Sequence, residues 1–136
     1  MGGQRSCKNS MAEECLVCNN PNSEAHHIVF RKQQPAMIEC HFNKIRLCAV
    51  CHKGDKGPHL NRDTDIKYKM RLQEKLKELF GYKNCYTEDE IKQILKIPKK
   101  DAYKLVKPLL TIIENDVAGY RAEDIIRRAM GGRLYV

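Results

Sequence analysis

Two cysteine pairs, Cys15-Leu-Val-Cys18 and Cys48-Ala-Val-Cys51, constrain this chain more than any other feature. The C-x2-C spacing lets both sulfurs of a pair turn toward one cation, and two such knuckles complete a tetrahedral S4 site. A closed S4 site leaves no coordination position for substrate, so Cys15, Cys18, Cys48 and Cys51 are expected to hold structural zinc. A redox-active or disulfide-bonded pair is the other reading of CxxC. Residues 15–60 contain too few large apolar side chains to support a core unaided, which favours a metal coupled to folding. Cys7, Cys40 and Cys85 lack partners at ligand spacing and are read as incidental.

The chain has 136 residues, room for one domain or one small domain with an appendage. It carries 25 Lys+Arg against 17 Asp+Glu, a net charge of +8. Such an excess favours polyanionic partners, nucleic acid first and anionic membrane second. No apolar run is long enough to span a membrane. The opening MGGQRSCKNS is too polar for a secretory signal, so a cytoplasmic location is expected and residues 1–12 read as a mobile tail.

Between the knuckles, Ala25 to Phe30 reads as a strand, and Asn43 to Leu47 as a second extended segment. In a strand, His26 and His27 point to opposite faces, so they cannot both be ordinary core residues. The second knuckle leads into Cys51-His52-Lys-Gly-Asp-Lys-Gly-Pro-His59. The order is CxxC, His-His, Asn, CxxC-His, His.

In EAHHIVF, FNKIRLCAVCH and KGPH the chain resembles the HNH endonucleases, or His-Me finger nucleases, over about residues 13–82. The small HNH proteins of bacteriophages and prophages are the most similar type, which would place the protein in a bacterial host cytoplasm. The resemblance implies a zinc-stabilised ββα-metal domain within an α+β fold. It implies His27 as the general base and Asn43 as the amide that orients its imidazole. His26 and His52 would be ligands of a catalytic divalent metal: Mg2+, Mn2+ or a transition metal. His59 would be a third ligand, reached from a loop. Some relatives place that ligand four residues on, one helical turn, whereas here the interval is seven and Gly57-Pro58 intervene. His41 matches no family position and reads as a surface or hairpin residue.

Asn61 to Phe80 reads as a helix, with an apolar stripe of Ile66, Met70, Leu72, Leu76, Leu79 and Phe80. A second unit is expected over residues 86–136. Thr87-Glu-Asp-Glu90 is a capping box, with Ile91, Ile94 and Leu95 on one helical face. Lys99–Lys107 reads as a short helix with Ala102, Tyr103 and Val106 inward, and with Lys99, Lys100, Lys104 and Lys107 available for DNA. Asn115 to Tyr120 has a turn-like composition, Arg121–Met130 reads as a third helix, and the closing GGRLYV as a tail or edge strand. In TEDEIKQILKIPKKDAYKLV and GYRAEDIIRRAM this part resembles the small winged helices of excisionase-type proteins, which implies a helix-turn-helix module. A helical subdomain for packing or dimerisation is the competing expectation.

The expected function is therefore metal-dependent hydrolysis of DNA phosphodiester bonds, by a monomer or homodimer. The alternative is a non-catalytic, zinc-containing DNA-binding protein such as a phage regulator or recombination accessory.

Overall fold

The computed structural model describes residues 14–136. The tail expected at residues 1–12, with Cys7, lies outside them. The architecture is mixed α and β, with two small antiparallel sheets and five α-helices among the described residues. The chain clusters into two compact units, and each is discontinuous in sequence.

Among the described residues, the first unit comprises residues 14–28 together with Lys44–Tyr68. Strand β1, Glu24–His27, pairs with β2, Lys44–Leu47, in the register Glu24↔Leu47 and His26↔Ile45. Helix α1, Ala49–Lys53, follows at once. Its N-cap is Cys48, whose sulfur accepts the Cys51 amide, so the knuckle itself starts the helix. Helix α2, Arg62–Leu79, opens with Asn61 Oδ1 accepting the Thr64 amide at 3.1 Å, and Asp63 and Asp65 sit in its first turn. Its residues through Tyr68 belong to this unit.

The second unit comprises Val29–Asn43 and Lys69–Val136. Strand β3, Cys85–Tyr86, precedes helix α3, Glu88–Leu95, which carries the complete Thr87/Glu90 capping box. Lys96 takes the left-handed conformation at φ 56°, and after Ile97-Pro98 helix α4 runs Lys99–Val106. Strands β4, Ile112–Glu114, and β5, Val117–Arg121, lead to helix α5, Ala122–Ala129. The sheet order is β3-β5-β4. Phe80, Tyr86, Ile91, Leu95, Leu105, Ile125 and Met130 form the core, joined by Met37.

Several local expectations are corrected. β1 covers residues 24–27 rather than 25–30. Beyond it, the Val29 amide and carbonyl are both taken by the Asn43 side chain, which replaces any further strand ladder. The 115–120 segment is half of a hairpin and not an open turn. Asn115 and Asp116 both have positive φ, 54° and 64°, which two-residue hairpin turns require. Met70 is 38 % exposed, whereas Tyr68, Lys69, Leu72, Gln73, Leu76 and Phe80 are buried. Lys69 is accommodated within its unit by lying 4.2 Å above the Phe30 ring. Tyr103 faces out and Leu105 takes the inward place on α4. Cys40 is a core residue rather than an incidental one, its thiol donating to the Leu95 carbonyl. The C-terminal tail forms no strand; the main chain of Tyr135 pairs with both ends of the Gln73 amide at 2.7 Å.

Candidate metal centres

Both candidate centres lie in the first unit. Cys15, Cys18, Cys48 and Cys51 present four sulfurs within 4.8 Å of one another. Sulfurs around tetrahedral zinc lie about 3.8 Å apart, given a Zn–S bond near 2.3 Å. The Cys18 and Cys48 sulfurs are 3.6 Å apart. The turn holding Cys15 is closed by its amide on the Asn20 carbonyl and by the Asn19 amide on its own carbonyl, both 2.9 Å. Asn19 has φ 61° to permit this. Burial pushes the Cys15 thiol up, but main-chain donors at Cys18, Cys48 and Val17 outweigh it and bring the thiol to about 6. Burial and the neighbouring sulfurs push Cys51 up to about 12. Four thiols so placed give up their protons unevenly, and a dication relieves the conflict by binding all four as thiolates and offsetting half of their charge. The cluster suits a structural metal such as zinc.

The second centre is built by His26, His52 and His59, whose ring nitrogens also lie within 4.8 Å of one another. His26 Nδ1 is 3.1 Å from His52 Nε2, and His59 Nε2 is 2.8 Å from that same atom. On the other side of the His52 ring, Nδ1 is 2.7 Å from Glu24 Oε1. A carboxylate only accepts, so Nδ1 carries the hydrogen and Nε2 of the neutral ring is a lone pair. One lone pair satisfies one N–H, yet two other ring nitrogens converge on it. A cation that takes a lone pair from each ring satisfies all three at once. Nitrogens sharing a tetrahedral zinc are about 3.3 Å apart, from Zn–N bonds near 2.0–2.1 Å. The donor set therefore fits a metal, and imidazole suits zinc and other transition metals. Burial, then the neighbouring His52, holds the His59 imidazole below its ordinary range, which favours the neutral form a ligand needs. The bond from His52 holds Glu24 below the usual carboxylate range.

His59 is delivered without a continuous helix. After α1 the chain turns through Gly54 and Gly57, with the Gly57 amide on the Gly54 carbonyl at 2.9 Å and the Asn61 amide on the Gly57 carbonyl at 2.8 Å. A Cβ at Gly57 would sit 2.4 Å from the His52 carbonyl oxygen, so only glycine allows the loop to fold back this closely.

His27 is not a member of either cluster. It ends β1 opposite Lys44, half-buried, and strand alternation sets its Cβ on the other face from His26. Asn43 is fully buried within the second unit. Its Oδ1 accepts the Val29 amide at 2.7 Å, and its Nδ2 donates to the Val29 and Met37 carbonyls, each at 3.1 Å. Both amide hydrogens are thus committed to main chain.

Lys99, Lys100 and Lys104 are exposed on α4 and Lys107 at its C-cap, flanking the half-exposed Tyr103. Glu24 is the residue that sequence reasoning missed. Its signal was present in Glu24-Ala-His26, a two-residue spacing that sets both side chains on one strand face. No family model, no curated protein and no solved structure matches the chain.

Proposed function

We propose that this protein is a metal-dependent DNA endonuclease of the HNH type. The observation that carries the reading is the convergence of His26, His52 and His59 on one point, beside a four-cysteine cluster and with His27 next in the chain. Phosphodiester hydrolysis needs a water that has lost a proton and a leaving oxygen whose charge is neutralised. In this reading His27 accepts the proton, imidazole being the side-chain type that exchanges one most readily around neutral pH. His26, His52 and His59 hold the catalytic divalent metal, which when bound supplies Lewis-acid stabilisation of the scissile phosphate and its leaving oxygen. Asn43 positions the turn after His27 by clasping Val29 from both main-chain sides. The cysteine cluster holds structural zinc.

DNA is the proposed partner, held in part by α4. Its outward lysines and Tyr103 combine phosphate attraction with an aromatic face, while Ala102, Leu105 and Val106 anchor the opposite side. The β4–β5 hairpin is a poorer contact, because Glu114 and Asp116 give its tip a negative charge. That basic helix is also what favours the second reading, a zinc-containing DNA-binding protein without catalysis.

One assay separates them. Supercoiled plasmid is incubated with the protein and Mg2+, Mn2+ or EDTA, alongside His27→Ala. Metal-dependent strand breaks that His27→Ala abolishes, with DNA affinity retained, are expected. Gel shifts without breaks in any metal would establish the non-catalytic reading, and undiminished cutting by His27→Ala would remove that residue from the chemistry.

A further inference from the structure

Glu24 and His26 stand two residues apart on the same face of β1. The strand repeat holds their Cα atoms about 6.6–6.8 Å apart and leaves them little freedom to drift. Between their side chains lies the His52 ring, with Glu24 Oε1 at 2.7 Å from Nδ1 and His26 Nδ1 at 3.1 Å from Nε2. The imidazole is therefore held at both nitrogens by one rigid strand. The ring is buried, at 7 % exposure, and cannot easily turn to solvent for another partner.

We propose that Glu24 is the positioning residue of the histidine centre. It sets the His52 tautomer, aims Nε2 at the point where His26 and His59 converge, and supplies the negative charge that an all-imidazole ligand set lacks. This rests on the reading that the three histidines hold a metal. Without Glu24, a neutral His52 is free to carry its hydrogen on Nε2, the tautomer that presents an N–H to the metal position. With the carboxylate in place that tautomer is excluded, because two hydrogen-bond acceptors would face each other at 2.7 Å. The ionised partner also makes the ring a stronger donor, as outer-shell carboxylates do for metal-bound histidines generally. Lys53 Nζ, 4.0 Å from the same oxygen, helps keep the carboxyl ionised without taking the bond from His52.

The test uses the full chain with zinc already bound to its cysteines, titrated with Co2+, whose visible absorption reports the histidine centre without reference to catalysis. Wild type, Glu24→Gln, Glu24→Ala and His52→Ala are compared, with far-UV circular dichroism checking the fold of each. Glu24→Gln can still accept from Nδ1 but lacks the charge, so a graded loss is expected. Affinity should fall roughly tenfold for Gln and nearer 100-fold for Ala. Long-range 1H–15N correlation should show a single Nδ1–H tautomer for His52 in wild type and a mixture in Glu24→Ala. Equal Co2+ affinity in wild type and both Glu24 variants would overturn the proposal while leaving the centre intact. A wild type that takes up no more Co2+ than His52→Ala would instead overturn the metal reading itself. A Glu24→Ala protein that does not fold leaves the decision to Glu24→Gln, whose unchanged affinity would count against the proposal.

Discussion

Cys51 and His52 are adjacent in one five-residue helix, yet their side chains join different clusters, the sulfur site and the histidine site. Consecutive residues on a helix point about 100° apart, so a short helix can face two centres at once. The cost of this economy is dependence. A helix of this length has no stability of its own and persists only because its N-cap, Cys48, is fixed.

Removing the sulfur-site metal should therefore dismantle the histidine site as well. In Cys48→Ala, zinc stoichiometry should drop and the first unit should lose its fold. Structural zinc sites contribute about 10–16 kcal/mol, as much as or more than the about 5–15 kcal/mol that stabilises a whole domain. Metal analysis combined with His 1H–15N spectra checks this. Native-like histidine signals in the zinc-free variant would show that the two centres are independent.

Asn43→Ala should destabilise the protein by about 3 kcal/mol or more, because each buried main-chain group left without its partner costs about 1–3 kcal/mol. Asn43→Asp preserves the acceptor for the Val29 amide but turns a carboxylate toward the Val29 and Met37 carbonyl oxygens. That repulsion raises the folded-state pKa of the new acid, so its penalty should grow as pH rises above about 4. Thermal melts at pH 4 and pH 7 read the difference. A destabilisation that is equal at both pH values would contradict the geometry.

If α4 lies against duplex DNA, Lys100→Glu with Lys104→Glu should weaken binding at all sequences alike. Two fewer phosphate contacts should flatten the plot of log affinity against log salt by about 1.8. Fluorescence anisotropy at several salt concentrations measures the slope. An unchanged slope would take α4 out of the interface.

Glu90 offers a pH-dependent contribution whose sign follows from its partners. Lys83 first, then the Thr87 amide, hold its carboxyl below the usual range. A depressed acid contributes stability above its unfolded value, about 4.3, and loses it as pH falls through the folded value. Lys83 is shifted upward by the same pair, so its share is complete below its unfolded value of about 10.4 and fades only above that. The capping arrangement contributes about 1 kcal/mol. Glu90→Gln should thus melt below wild type at pH 7, and the gap should shrink toward pH 3. A gap that is constant with pH would show the charge to be irrelevant.

The parts of this structure legible from sequence were those in which spacing dictates geometry. The CxxC pairs, the Thr87/Glu90 box and the period of helices α3 and α5 are all local patterns. The tertiary exchanges were hidden. Nothing in the apolar pattern of α2 announced that Lys69 and Gln73 would be buried in place of Met70, because their partners, Phe30 and Tyr135, are 39 and 62 residues away. The hairpin at Asn115-Asp116 was obscured by its own residues, whose turn-like character masked the two short strands beside them. Strand alternation, the pattern that separates His26 from His27, does not by itself single out Glu24. The same alternation joins Glu24 to His26.

The seven-residue interval between His52 and His59 has a consequence for how such chains are found. A search pattern written around one turn of helix asks for a third donor four positions on and would pass over His59. What the site requires is that the ring nitrogens reach one point, here 2.8 Å apart, and a glycine able to lie against a carbonyl lets a longer stretch of chain close that gap. Patterns that allow the gap to vary, but insist on a glycine within it, would retrieve sequences that fixed-interval patterns leave behind.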